Sequence, residues 1–237
     1  MVKQFKDNSF QKHFYEIDKK ITNSDFQLSY YIPELETRLS NCTEDFNKNG
    51  TLSYSVKDFI LIKNELNKQE KVTKIKPAIN LENIRPENFN VEIINSIESY
   101  ISKLKEHYQN IFNRSEKEKT NRIRYLMENK KELYFDMLDK YHNESVSDQV
   151  RKIYEKNKLT EYKHSFVRQS DPVFLDPTPS SFFDFRSHFF APGKHFAGRY
   201  FETFWFNMSI IWILILFLYI SLYFGWLKKL VKNEGWF

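Results

Sequence analysis

The sequence predicts an all-α fold class: a helical soluble domain that contains a long helical hairpin, followed by one C-terminal transmembrane helix. Two observations predict it. None of the five glycines lies between residues 51 and 192, which favours helices with short connections over strands joined by glycine turns. No charged residue occurs over the 25 positions from Thr203 to Leu227. A helix of that length is roughly 37 Å long, which is enough to cross a bilayer.

The amino-acid composition of the chain argues against several classes of function. Mean hydropathy over the chain is −0.61, as in a soluble protein, so the average conceals the apolar run. The net charge is +5, but basic and acidic residues are interspersed, which argues against a nucleic-acid surface. The single Cys42 excludes an intramolecular disulfide and a Cys-rich metal site. Residues 1–20 hold no apolar stretch typical of a signal peptide, so this start alone would keep the bulk of the chain in the cytosol.

The N-terminal part of the chain predicts three amphipathic helices, over residues 5–22, 33–47 and 54–70. Pro33 suits the first position of the second helix, because its missing N–H would have no helical partner there. Glu34 follows in the first turn, where the helix dipole favours a negative charge.

The clearest periodicity lies in residues 91–112, where apolar side chains recur at alternating spacings of three and four. After a polar break at 113–121 the pattern resumes over 123–141, and we expect the two helices to form an antiparallel hairpin. Ser147 begins a short polar entry to a further helix over 150–158. The apolar seam consists of Ile94, Ile97, Ile101, Leu104, Tyr108 and Ile111.

An alternative interpretation of the seam in 91–112 is a parallel dimeric coiled coil, in which the chain associates with a second copy of itself. The seam covers nearly three heptads and stops at the polar break, so the intramolecular hairpin is the preferred prediction.

Prolines divide the chain into three parts. Residues 1–170 are predicted to form the helical soluble domain. Residues 171–192 contain four prolines and are predicted to form an extended linker. Residues 193–232 are predicted to hold an aromatic approach to the membrane and then the transmembrane helix.

The sequence holds little that indicates enzymatic chemistry. Residues 45–56 imitate a calcium-binding loop, with oxygen-bearing side chains at loop positions 1, 3 and 5 and Gly50 at position 6. Position 12, which needs a bidentate Glu, is Val56, so a polar turn between helices is the preferred interpretation. No spacing of His, Asp or Glu predicts a metal site, and no phosphate-binding or nucleophile motif occurs. We therefore expect no catalytic residues, no cofactor and no enzyme activity on this chain.

Aromatic residues interleaved with basic ones flank the apolar run, an arrangement typical of the headgroup layer of a bilayer. Residues 228, 229 and 232 are lysines, and Lys194 and Arg199 precede the span. Three cations against two favour a cytoplasmic C-terminus, which conflicts with the missing signal peptide. The predicted membrane-interface residues are Phe189, Phe190, Lys194, Arg199, Tyr200, Trp205, Trp226, Lys228 and Lys229.

A resemblance bears on this conflict. The stretch HFFAPGKHFAGRYFETFWFN at residues 188–207, with the span and the lysines after it, resembles the C-terminal end of large bacterial ABC transporters that fuse ATPase and permease in one chain. The stretch ESYISKLKEHYQNIFNRSEKEK at residues 98–119 resembles the helical region ahead of it. The nucleotide-binding motifs and the other spans of that family do not occur here.

The resemblance implies a C-terminal piece of a permease in the bacterial inner (cytoplasmic) membrane, with an extracytoplasmic helical domain and a cytoplasmic C-terminus. Its implied partners are the lipid bilayer, other permease helices and an ABC ATPase domain supplied elsewhere. The alternative is a C-terminally anchored, single-span helical scaffold that faces the cytosol, which the missing signal peptide favours.

Overall fold

A computed structural model describes residues 1–80, 84–179 and 181–225 of the chain. It divides into two compact units, the first over Lys3–Phe174 and the second from Leu175 onward. The chain is mainly helical, as expected, but it also contains two small antiparallel sheets, so the all-α prediction is correct only in its main part.

The first unit contains seven α-helices among the residues that the structure describes. Short 3-10 helices lie at Gln11–His13, Pro86–Asn88 and Pro172–Phe174. The helices are α1 (Val2–Lys6), α2 (Tyr15–Phe26), α3 (Ile32–Asn49), α4 (Val56–Thr73), α5 (Val91–Asn129), α6 (Lys131–Tyr141) and α7 (Glu144–Arg151).

A π-helical segment, Gln27–Tyr31, joins α2 to α3, so the backbone stays helical from Tyr15 to Asn49. Pro33 follows this segment directly, near the start of α3. A proline inside a helix cannot donate to the carbonyl four residues earlier, and its ring collides with that carbonyl. The π-helical segment just before Pro33 is wider than an α-helical turn. It therefore accommodates both the missing hydrogen bond and the proline ring without ending the helix.

Helix α5 runs antiparallel to this long helical stretch and to the 3-10 helix before it, as three polar contacts show. His13 lies 3.4 Å from Arg122, and Asp18 forms an ion pair of 2.8 Å with Lys119. Farther along, Glu36 lies 3.6 Å from Lys105. Residues that come later in the N-terminal stretch therefore contact residues that come earlier in α5.

The predicted hairpin turn at 113–121 is wrong, because these residues continue α5 without interruption. The stretch is polar, but it contains no Gly or Pro and is rich in Arg, Lys and Glu, which are good helix formers. A solvent-exposed helix face is as rich in polar residues as a loop. The helix breaks instead at Lys130, whose φ of −145° and ψ of 41° lie outside the helical region, and α6 begins at Lys131.

The helix predicted over 150–158 is also displaced. Helix α7 begins at Glu144, where the side chain of Asn143 accepts a hydrogen bond of 3.0 Å from the N–H of Val146. It ends before Lys152, which takes a left-handed φ of 51°. The capping residue lies four positions earlier than Ser147, and the helix moves with it.

A β-hairpin that the sequence analysis did not predict closes the first unit. Strands β1 (Leu159–Tyr162) and β2 (Ser165–Arg168) pair in an antiparallel register, with Tyr162 opposite Ser165. Lys163 and His164 form the two-residue turn with φ of 50° and 54°, the signature of a type I′ turn. Because this turn normally uses Asn or Gly, the missing glycines argued against strands here.

The hydrophobic core of the first unit is built from α2, α3, α4, α5 and the β1–β2 hairpin. Phe166 of β2 is 5% exposed, and its ring meets Tyr31 edge-to-face at 5.6 Å. The apolar seam of α5 is buried in this core, except that Ile111 is half-buried. The chain's own helices thus cover the seam, and a dimer through residues 91–112 would require the unit to open.

The segment after β2 is held against α2 by Arg168. Its guanidinium lies 4.2 Å from the ring centroid of Phe26, donates to Asn23 at 2.8 Å and pairs with Asp171 at 3.0 Å. The hydroxyl of Tyr15 donates to the carbonyl of Val173 at 2.7 Å. The first four positions of the predicted 171–192 linker therefore pack within the first unit.

The second unit contains a hairpin of β3 (Gly193–Phe196) and β4 (Arg199–Glu202), followed at once by helix α8 (Thr203–Tyr223). The charge-free run predicted a helix over about 203–227. Helix α8 begins at the predicted residue and ends at Tyr223, and positions 226 and 227 lie outside the described residues.

Candidate membrane interface

Helix α8 is 21 residues long, which corresponds to about 32 Å at 1.5 Å per residue. Its most apolar stretch of 18 residues has a mean hydropathy of 2.1, and the helix contains no charged side chain. Every apolar side chain from Ile210 to Leu222 is between 43% and 66% exposed. A core helix of similar composition would be buried, so the exposure favours a lipid environment. Among residues 1–80, 84–179 and 181–225, this one helix is long and apolar enough to span a membrane.

The β3–β4 hairpin leads directly into this helix. Its strands pair from Gly193 opposite Glu202 to Phe196 opposite Arg199. The turn residues Ala197 and Gly198 both have positive φ, 50° and 76°, so this is a second type I′ turn. A Cβ at position 198 would lie 3.1 Å from the ring of Phe182, so glycine serves both the backbone conformation and the close approach.

Two backbone carbonyls hold the start of α8 beside the hairpin. The hydroxyl of Thr203 donates to the carbonyl of Ala191 at 2.7 Å, and its N–H donates to the carbonyl of Pro192 at 3.2 Å. Ala191 is buried. These bonds satisfy one of the N–H groups that a helix start leaves without an intrahelical partner.

One face of the hairpin carries two cations and two phenylalanines. Because side chains alternate along a strand, Lys194 and Phe196 project to the same side as their cross-strand partners Phe201 and Arg199. We call these four residues the basic aromatic face.

Phe206 of α8 packs against this face. Its ring centroid lies 5.9 Å from that of Phe196 and 6.4 Å from that of Phe201. The ammonium of Lys194 lies 5.4 Å from the same centroid, a cation–π contact. One helix residue therefore fixes the position of the hairpin side chains.

The opposite face of the hairpin is occupied within the second unit. His195 is 7% exposed, and its Nδ1 donates to the carbonyl of Asp184 at 3.2 Å. The hydroxyl of Tyr200 donates to the carbonyl of Pro177 at 3.2 Å. The rings of His195 and Tyr200 meet edge-to-face at 5.4 Å. These contacts attach the preceding loop to this side of the hairpin, and Phe183 of the same loop also contacts Phe196 on the basic aromatic face, with ring centroids 5.8 Å apart.

That loop contains its own ion pair. Arg186 donates from Nε to one oxygen of Asp184 at 2.8 Å and from Nη2 to the other at 3.0 Å. The hydrogen bond with Asp184 raises the pKa of Arg186 above its ordinary value. The charge of Arg186 is therefore neutralised locally.

The structure brings together three of the predicted interface residues, Lys194, Arg199 and Tyr200, on the two strands of one hairpin. Phe189 and Phe190 lie in the turn before it, with ring centroids 4.4 Å apart, and Phe189 is 76% exposed.

Trp205 lies in the first turn of α8 and is 59% exposed. Trp226, Lys228 and Lys229 lie outside the described residues. The sequence analysis did not single out Phe196, Phe201 or Phe206 as a packed set. The alternation of Lys194-His-Phe and Arg199-Tyr-Phe was the available signal for the shared face.

The calcium-like loop has a structural role. Oδ2 of Asp45 accepts hydrogen bonds from the N–H groups of Ser53, Tyr54 and Ser55 at 2.7, 3.0 and 2.9 Å, and from the hydroxyl of Ser55 at 2.7 Å. Oδ1 accepts from the amide of Asn49 at 2.7 Å. Both carboxylate oxygens are thus engaged at the start of α4.

Burial by itself would raise the pKa of Asp45, but the hydrogen bonds from Ser55, Asn49 and Ser53 outweigh it and hold that pKa well below its ordinary value. Within the described part of the chain, no group of three or more His, Cys, Asp or Glu is placed to hold a metal ion. The arrangement fits the polar turn that the sequence favoured.

Comparison of the chain with protein family models, with curated proteins and with solved structures found no match.

Proposed function

We propose that this protein is attached to a membrane by α8 and that its first, mainly helical unit works beside that membrane. The observation that carries the proposal is the exposure of the apolar side chains from Ile210 to Leu222. In water, that surface would be a strong aggregation liability, whereas lipid tails solvate it. The hairpin at its start supplies the aromatic and basic side chains that suit the headgroup layer.

Within this proposal, the more specific role is that of the C-terminal part of an ABC permease, with the ATPase and further membrane helices on other polypeptides. The support is the sequence resemblance of residues 188–207 and 98–119. The first unit would then be extracytoplasmic and would cover the outer end of the transport path.

The competing role is a single-span scaffold whose first unit faces the cytosol and binds another protein. One observation favours it: the C-terminal half of α5 and helix α6 expose large apolar side chains, as protein-binding surfaces do. Tyr125, Met127, Leu133 and Phe135 are between 42% and 58% exposed.

Membrane attachment is tested by alkaline carbonate extraction of membranes that contain the full chain. The wild type should remain in the membrane pellet. Replacement of Ile213 and Leu216 by arginine should release the protein, because two central charges cost roughly 5–7 kcal/mol of insertion free energy. The matched control replaces the same two residues by phenylalanine and should stay in the pellet. Release of the wild type by carbonate would contradict membrane spanning.

Membrane orientation is tested with a cysteine at Lys103, an exposed position on α5. A membrane-impermeant maleimide should label K103C in intact cells if the first unit is extracytoplasmic. Labelling only after the membrane is opened would support the cytosolic scaffold. The wild type is the control, because Cys42 is 0% exposed and burial raises the pKa of its thiol to about 11.

The permease role is tested by purifying the full chain from native membranes in mild detergent. A stoichiometric ABC ATPase subunit should co-purify, and ATP hydrolysis should be measurable in the complex. Purification without an ATPase, together with a cytosolic K103C, would support the scaffold instead.

A further inference from the structure

We propose that the basic aromatic face of the β3–β4 hairpin binds the phosphate of an anionic phospholipid, with Lys194 and Arg199 as its two cationic contacts. This inference rests on the proposed membrane attachment and names the lipid class that the interface recognises.

Lys194 is opposite Phe201 and Arg199 is opposite Phe196, so the cations occupy diagonal positions on one face of the hairpin. Diagonal neighbours on paired strands are about 7–8 Å apart, and both side chains are long enough to converge on one phosphate. Arginine can grip two phosphate oxygens, and lysine adds a mobile point charge.

Among the residues that the structure describes, neither Lys194 nor Arg199 forms an ion pair with a carboxylate. Glu202, the nearest acid along the strand, alternates to the other face, opposite Gly193. Arg186 differs, because Asp184 neutralises it through two hydrogen bonds. Both hairpin cations therefore keep their charge available to an anion from outside the protein.

Phe196 and Phe201 share the face with the cations and are 38% and 43% exposed. Phe206, on which Lys194 rests, belongs to the first turns of the apolar helix. A ligand at this place must offer a negative group beside an apolar body. A phospholipid with a net negative headgroup has both parts, whereas a soluble phosphate or an acidic peptide has no tail for the phenylalanines.

The experiment uses the full chain reconstituted in phosphatidylcholine vesicles that carry a trace of spin-labelled lipid. Electron paramagnetic resonance measures how much label the protein immobilises, for phosphatidylglycerol and for phosphatidylcholine separately. The wild type should prefer phosphatidylglycerol, and K194Q or R199Q should each lower that preference by about fivefold. The variant K194R/R199K should keep it, and higher salt should weaken it.

Two controls separate lipid selection by the hairpin from the effects of net charge and of membrane attachment. R186Q lowers the net charge of the same unit by one, as K194Q and R199Q do, but in the loop before the hairpin, so it should lower the lipid preference much less than either. Carbonate extraction of every variant reports membrane attachment separately. Loss of attachment in the wild type would contradict the proposed function, whereas attachment without any lipid preference would overturn only this inference.

Two further results would overturn the lipid site. An unchanged preference in K194Q/R199Q would show that the hairpin does not select the lipid. Loss of the wild-type preference on addition of inorganic phosphate, but not of chloride at equal ionic strength, would assign the site to soluble phosphate.

Discussion

The hydroxyl of Tyr31 donates a hydrogen bond of 2.6 Å to Oε2 of Glu65, and both residues are buried in the core of the first unit. The other carboxylate oxygen of Glu65 accepts from the hydroxyl of Ser165 and, at 2.8 Å, from the N–H of Phe166. One carboxylate therefore joins the π-helical segment, α4 and the β1–β2 hairpin. Burial, followed by the negative charge of Glu65, raises the pKa of Tyr31 well above its ordinary value, so the phenol remains a donor.

Removal of this donor should weaken the first unit. Y31F leaves one oxygen of a buried carboxylate without its phenol donor, and a hydrogen bond to a charged group contributes about 1.5–3 kcal/mol. The rate at which Cys42 reacts with a thiol reagent measures opening, and it should rise roughly ten- to hundredfold. E65Q should speed Cys42 labelling more than Y31F does. Both carboxylate oxygens of Glu65 accept hydrogen bonds, and the amide N–H₂ that replaces one of them could not accept from the donor it faces.

The exposed E98Q on α5 is the control and should leave the Cys42 rate unchanged. Tryptophan fluorescence is unsuitable, because all four tryptophans lie at position 205 or later and do not report on the first unit. A Y31F protein with wild-type Cys42 protection would contradict a stabilising role for the Tyr31–Glu65 bond.

The Asp45 carboxylate should stabilise the start of α4 in a pH-dependent way. The unfolded chain takes up a proton at Asp45 near its ordinary pKa of 3.8, whereas the folded protein does so only at lower pH. This stabilisation is therefore present above about pH 4 and is lost as the pH falls below it. D45N should speed Cys42 labelling several-fold at pH 7, and the difference from wild type should shrink in acid.

Calcium supplies the control for Asp45. If the loop is a structural cap, millimolar calcium should not slow Cys42 labelling in the wild type. Calcium-dependent protection that D45N abolishes would contradict the capping role and restore the metal-site interpretation.

The continuity of α5 is tested by two proline substitutions. K117P lies in the middle of the helix and should cost about 3 kcal/mol or more, because it removes a helical hydrogen bond and collides with the preceding turn. K131P lies at the first position of α6, where proline is tolerated, and should cost much less. Amide hydrogen exchange should show protection across 113–121 in the wild type. Rapid exchange there would instead support the hairpin turn that the sequence suggested.

A glycine in the turn of the β1–β2 hairpin should stabilise the first unit. Lys163 and His164 both hold positive φ, which costs a residue with a Cβ roughly 1–2 kcal/mol. H164G should therefore raise the free energy of unfolding by about 1 kcal/mol in urea titrations followed by circular dichroism. H164A removes the imidazole but keeps the Cβ, so it should bring no such gain. Equal stabilisation by both variants would assign the effect to the lost ring.

Local patterns predicted the parts of this protein that local physics decides. The charge-free run predicted α8, because twenty or so apolar residues admit few other structures. Pro33 and the apolar periodicities predicted helices close to α3 and α4, and the Asn-Gly turn predicted between them ends α3 at Gly50. In each case the signal and its cause lie within a few turns of chain.

Tertiary structure decided the rest. The polar composition of residues 113–121 fits either a loop or a solvated helix. In the structure these residues are helical, and this part of α5 contacts α2 in an antiparallel arrangement. Lys163 and His164 adopt strained turn conformations because Phe166 and Glu65, about a hundred residues apart, hold the hairpin in place. At the membrane interface, sequence alone identified Lys194 and Arg199 as basic neighbours of aromatic residues. Only strand pairing placed them on one face over Phe206, because pairing register depends on contacts that composition does not encode.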